Sequence, residues 1–200
     1  MLILLPGPLS RVLAYLMESE LAMVKHVNSV VSGCFYQCRH LRCVRRSLPT
    51  ETRHALLTSC IGNRLDNCNA ILYGANADIL HRLQMVLNAA ARLVAGLGKY
   101  EHVTPLLREL HWLPVHQRIK FKIAILAFSF VRRIGPVYFS DVCMPLSDIP
   151  SRAALRAADH VNRFIPVTKT KIGSRSFRVA GLVVWNSLPH HLHSWTISRA

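Results

Sequence analysis

Arginine is the residue type whose spacing most clearly suggests chemistry in this 200-residue chain. In the segment RHLRCVRR, Arg39, Arg42 and Arg46 recur at successive turns of a predicted helix. A guanidinium group pairs with phosphate through two parallel hydrogen bonds, so such a ladder suits the regularly spaced phosphates of a nucleic-acid backbone. The structural alternative is a solvated helix end that binds nothing.

Two later groups of basic residues complete the set of candidate nucleic-acid-binding residues. The first flanks the apolar run IAILAFSFV, and the second lies near the C terminus, close to Arg163. The members are Arg118, Lys120, Lys122, Arg132 and Arg133, then Lys169, Lys171, Arg175 and Arg178. Cations in a last helical turn also complement the helix dipole, so the first group has a structural alternative.

The overall charge supports an anionic partner. The chain has 25 Lys and Arg against 10 Asp and Glu, a formal charge of +15. Nineteen of these cations are arginine, whose planar fork matches phosphate better than an ammonium group does. The composition therefore favours nucleic acid, contacted without base readout, over an acidic protein or a membrane surface.

The acidic residues do not form a catalytic pattern. The ten acids are dispersed, without the Asp-x-Asp spacing that would let carboxylates bridge two metal ions roughly 4 Å apart. His190, His191 and His193 in HHLH could bind zinc, although histidines without a nearby Cys or Asp cluster are more often a polar tail. The sequence predicts no enzyme activity by this chain alone, no metal and no cofactor.

The six cysteines lack a CxxC pair and indicate reduced thiols. Cys34 and Cys38 lie one helical turn apart and are interpreted as core or boundary side chains, with a metal site as the less favoured alternative. The tryptophans are interpreted as core or interface anchors in preference to base-stacking platforms; they are Trp112, Trp185 and Trp195. No apolar run is long enough to cross a bilayer, so we expect a nuclear or cytoplasmic protein that is not secreted.

Apolar spacing predicts a mainly α fold, a helical bundle with a small β-containing C-terminal part. The predicted helices cover residues 10–44, as one long or two shorter helices, then 50–74, 78–94, 104–110 and 115–133. Residues 164–185 are rich in β-branched side chains and lean towards β structure. The expected organisation is an unmatched segment at 1–19, a helical region at 20–140, a linker at 141–160 and a truncated, basic, β-leaning extension at 161–200.

Four ordered segments carry a resemblance to a known family. They are RRSLPTETRHALLTSCIGNRLDNCNAILYG, LHRLQMVLNAAARLVAGLGKYEHVTPLLRELHWLPVHQRIKFKIAILAF, GPVYFSDV and SFRVAGLVVWNSLP. Together they resemble the region after the polymerase palm in reverse transcriptases of non-LTR, LINE-type retrotransposons of the jockey and chicken-repeat group. The resemblance covers about residues 20 to 190.

This resemblance implies a thumb-like region that binds an RNA or RNA:DNA template-primer duplex without sequence preference, and a missing palm domain as its partner. Family members carry the catalytic aspartates in the palm, so no catalytic residue is transferred to this chain. We expect a remnant of an RNA-directed DNA polymerase. The alternatives are a non-functional fragment, a domesticated protein-interaction module and, least favoured, a zinc-dependent hydrolase that uses the histidines.

Overall fold

The computed structural model describes residues 23–135, 142–146 and 162–193, and this part of the chain is mainly helical, as predicted. The chain divides into two compact units, Met1–Ile119 and Lys120–Ala200. The predicted segment 1–19 lies outside the described residues, as does the predicted linker except for residues 142–146.

The described part of unit 1 consists of short and long helices joined by tight turns. The helices are α1 Val24–Val44, α2 Thr50–Leu57, α3 Asn63–Asp66, α4 Ala77–Ala95 and α5 Thr104–Glu109, followed by the first turn of α6, Val115–Val131. The observed α4, α5 and α6 agree with the predicted helices to within two residues at each end. The predicted first helix is confirmed from Val24 onward.

Helix α4 forms the centre of unit 1. Eight of its side chains are buried, at the spacing of three and four residues that the sequence predicts: Ile79, Leu83, Val86, Leu87, Ala90, Ala91, Leu93 and Val94. Ala90 and Ala91 are fully buried, and their small side chains let a neighbouring helix approach closely. Helices α1, α2 and α5 all contact α4, so this helix organises the unit.

A glycine ends α4. Gly96 adopts the left-handed conformation with φ of 73°, which costs a residue without a side chain little. The N–H of Leu97 donates to the carbonyl of Arg92 at 2.9 Å, satisfying one of the last helical carbonyls. The chain then turns across the end of α4.

The prediction of one continuous helix over residues 50–74 is wrong. Helix α2 passes into a π-helical turn, Thr58–Gly62, and then into α3, which ends at Asp66. Cys68 is left-handed with φ of 56°, and a 3₁₀ turn follows at Asn69–Leu72. Asp66 accepts a hydrogen bond from the side chain of Asn69 at 3.1 Å, a local contact of the kind that competes with helix formation.

Unit 2 is built around Trp185. Its described helices are the remainder of α6, then α7 Lys171–Arg175 and α8 Phe177–Asn186. Trp185 is 1% exposed and clusters with Ala127, Val131, Cys143 and Leu182, all of them buried. Phe128 packs obliquely against Trp185, with ring centroids 6.5 Å apart. The core interpretation is confirmed for Trp185 and also for Trp112, which is 9% exposed in unit 1.

The predicted β-containing C-terminal part is not found in the described residues. The β pairing within 142–146 and 162–193 is limited to one isolated bridge, between Pro145 and Arg163. The hydroxyl of Thr170 accepts a hydrogen bond from the Gly173 N–H at 3.0 Å and caps α7. In α8, Val179, Leu182 and Trp185 are buried at helical spacing, so core packing outweighs the β preference of the branched residues.

Candidate nucleic-acid interface

A basic groove lies between α1 and α4 in unit 1. Near the start of α4, Arg82 donates to the side chain of Asn28, near the start of α1, at 2.8 Å. Residues 35–43 of α1, the 3₁₀ turn Arg45–Ser47 that follows α1, and residues 81–93 of α4 line the groove. The groove has a volume of about 1180 Å³.

Six cations line this groove: Arg39, Arg42, Arg45, Arg46, Arg92 and Lys99. None of the described residues that line it is acidic. The predicted ladder is therefore brought together with three further cations. The carbonyl ends of α1 and α4 offset part of this charge, because each helix C terminus carries a partial negative charge.

The ladder residues face solvent. The side chains of Arg39, Arg42 and Arg46 are all exposed, whereas Arg45 is half-buried. Positions three and four residues apart on a helix are neighbours on its surface, about 5–6 Å apart at Cβ. Arg39 and Arg42 are such neighbours on α1, and Arg46 lies in the 3₁₀ turn Arg45–Ser47 that follows it. All three exposed side chains line the groove and are accessible to a phosphate chain.

Arg92 has a different function in the groove. Its Nε and Nη2 both donate to the carbonyl oxygen of Glu101, at 3.1 and 3.0 Å. These two hydrogen bonds hold the turn that follows α4 against the helix and place Lys99 at the groove. Arg92 therefore contributes charge while also fixing the local shape.

The sequence prediction missed Arg45, Arg92 and Lys99. Arg92 lies 46 positions after Arg46, and only the packing of α1 beside α4 places them at one groove. A signal was nevertheless present, because His81, Met85, Asn88 and Arg92 recur at helical spacing beside the apolar face of α4 and line the groove.

Arg118 makes internal contacts in unit 1. Its Nη1 lies 2.9 Å from Oδ2 of Asp66, forming an ion pair, and its Nε donates to the carbonyl of Leu113 at 2.8 Å. Because these contacts tie the start of α6 to the end of α3, they give Arg118 a structural role.

The other predicted site residues lie in unit 2. Lys120, Lys122 and Arg133 are exposed, and the Arg132 guanidinium lies over the Phe128 ring, 4.2 Å from its centroid. Around α7 and α8, Lys169, Lys171 and Arg178 are exposed, and Arg175 is half-buried. Arg163 is instead buried, and its Nη1 donates to the carbonyl of Cys143 at 3.1 Å.

The histidine-rich segment contributes to the core of unit 2. His193 is buried, its ring stacks on Trp185 with centroids 4.6 Å apart, and its Nε2 lies 3.0 Å from the Trp185 carbonyl oxygen. Within residues 23–135, 142–146 and 162–193, no three His, Cys, Asp or Glu side chains lie close enough to share a metal ion.

The cysteines of α1 differ in reactivity. Cys34 and Cys38 are buried, as predicted, whereas Cys43 is exposed. Burial, aided by neighbouring Cys34 and opposed by Arg42, raises the pKa of the Cys38 thiol to about 11. Burial likewise raises the pKa of Cys34, with Arg64 acting in the opposite direction. A raised pKa favours the protonated thiol, and the thiolate is the nucleophile, so we expect both buried thiols to react slowly.

We expect iodoacetamide at pH 8 to alkylate Cys43 before Cys38, which mass spectrometry of timed samples will measure. In urea, where burial is lost, the two thiols should react at similar rates. Equal rates in the folded protein would contradict the burial of Cys38.

The free energy of unfolding should fall as the pH rises from about 9 to about 11, because the Cys38 thiol ionises at lower pH in the unfolded chain than in the folded protein.

Searches against known protein families, curated proteins and solved structures found no match to this chain. In the described part of the chain, every helix is too short or too polar to cross a lipid bilayer.

Proposed function

We propose that the basic groove between α1 and α4 binds the phosphate backbone of RNA or of an RNA:DNA duplex without reading the base sequence. The observation that carries the proposal is the set of six cations lining one groove, with no acid among its described lining residues. A concave surface of one charge sign concentrates an oppositely charged polymer and steers it inward.

The chemistry of the cations supports phosphate as the ligand. Five of the six are arginine, which forms paired, charge-assisted hydrogen bonds to phosphate oxygens. Contacts of this kind position a nucleic acid but carry no sequence information. The proposed binding is therefore strong at low salt and tolerant of base sequence.

The resemblance to the thumb-like region of non-LTR retrotransposon reverse transcriptases supports the same ligand. In that group the helical region after the palm cradles a template-primer duplex. We propose that this chain is a fragment of such a reverse transcriptase and still binds a nucleic-acid duplex in this way. The proposal assigns it no catalytic step, since the catalytic aspartates of the resembled family belong to the palm.

The test is fluorescence anisotropy of the full chain with a labelled RNA:DNA duplex, titrated from low to physiological salt. Three to six phosphate contacts predict that log affinity falls with log salt at a slope of about −2.7 to −5.4. Two duplexes of unrelated sequence should give the same affinity. A folded, monodisperse sample that binds neither duplex would refute the proposal, and salt-independent self-association would favour a protein-interaction fragment.

A further inference from the structure

Two tyrosines beside the basic groove are unusually exposed. Tyr36 on α1 is 54% exposed, and Tyr100, which follows the groove-lining Lys99, is 90% exposed. Tyr36 precedes Arg39 by three residues and so lies next to it on the helix surface. One exposed aromatic ring therefore adjoins the arginine ladder, and the other adjoins the cation of the turn after α4.

Each of the two tyrosine rings has a neighbouring side chain, an aromatic ring for Tyr36 and an ammonium group for Tyr100. The Tyr36 ring centroid lies 4.2 Å from that of His40, one turn later on the same helix, which limits its motion. The Lys99 ammonium lies 5.6 Å from the Tyr100 ring centroid. Each tyrosine thus presents an aromatic surface next to a positive charge, the combination that proteins use for unpaired nucleotides.

The size of the groove also suits a single strand better than a double helix. At about 1180 Å³ it is only slightly larger than the pockets of roughly 300–1,000 Å³ that hold drug-sized ligands. A double helix can lay one backbone along such a groove but cannot enter it. A short single strand can enter and turn its bases outward.

We propose that the groove prefers single-stranded nucleic acid, with phosphates on the arginine ladder and unpaired bases stacked on Tyr36 and Tyr100. This inference rests on the proposed function and narrows its ligand. In a duplex each base face is covered by its neighbour, so only an unpaired base offers a face to a tyrosine. The single-stranded overhang of a template is a ligand of this class.

The experiment compares the full chain with the double variant Tyr36→Leu/Tyr100→Leu and the matched double variant Tyr36→Phe/Tyr100→Phe. Leucine keeps an apolar side chain and removes the aromatic face, whereas phenylalanine keeps that face. The probes are a labelled single-stranded RNA and a hairpin of the same length, each measured by anisotropy at one salt concentration. Circular dichroism checks that both variants keep the wild-type helix content.

We expect the wild-type chain to bind the single strand more tightly than the hairpin. The leucine variant lacks two stacking sites and should lose at least about 30-fold in affinity for the single strand, with the hairpin affinity unchanged. The phenylalanine variant should bind both probes as the wild type does. Equal binding of both probes, unchanged in the leucine variant, would overturn this inference and leave the proposed function intact. If the wild-type chain bound neither the single strand nor the hairpin, both this inference and the proposed function would be overturned.

Discussion

A variant in which glutamine replaces Arg39, Arg42 and Arg46 is expected to bind an RNA:DNA duplex on the order of 100-fold more weakly at 0.1 M salt. Each lost phosphate contact removes the release of its counterion. The slope of log affinity against log salt should accordingly become shallower by about 2.7. Glutamine forms helices nearly as well as arginine, so α1 is retained. Anisotropy across a salt series measures both quantities.

The matched control removes three cations from unit 1 that do not line the groove. Lys25, Arg64 and Arg108 are exposed, and their replacement by glutamine gives the same net charge as the ladder variant. We expect the control to keep most of the wild-type affinity and salt slope. If the two variants lost affinity equally, overall charge and not the groove would account for binding.

Replacement of Trp185 by alanine should lower the free energy of unfolding of unit 2 by about 3–5 kcal/mol. The side chain is 1% exposed and lies between Phe128 and the stacked ring of His193, so its removal leaves a cavity and unpaired aromatic surfaces. Urea unfolding measures the loss. Amide hydrogen exchange in α8 assigns it to this unit.

Val183 provides the control on the same helix. It is 38% exposed, and alanine there should change stability by less than about 1 kcal/mol. If the free energy of unfolding fell by less than about 1 kcal/mol in the Trp185 variant as well, the central position of this tryptophan would be contradicted. Replacing a buried tryptophan by alanine lowers that free energy several times more.

Helices with a single strong apolar face could be predicted from the sequence. α4 is the clearest case, since its buried residues recur at helical spacing and Gly96 ends it. Prediction failed where local rules conflicted with packing. The branched residues of α8 favour strands in isolation. Their burial around Trp185 stabilises the helix more than their intrinsic preference stabilises a strand.

Only part of the groove, the arginine ladder, could be predicted from the sequence. The ladder on α1 follows from helical spacing within one segment of sequence. Arg92 and Lys99 join it because α1 and α4 pack side by side, a contact between segments about 50 residues apart that spacing cannot reveal. Arg118 shows the opposite case. A basic residue that looked available for phosphate is paired with Asp66, whose position no local pattern specifies.

The π-helical turn at Thr58–Gly62 affects how relatives of this chain can be recognised. A π turn holds about one residue more than an α turn, so the residues after it are rotated by about 100° from the face set by α2. A homologue with a plain α helix here would be one residue shorter, and an ungapped alignment would pair core positions with surface positions. Alignments should therefore allow a one-residue gap within residues 58–62.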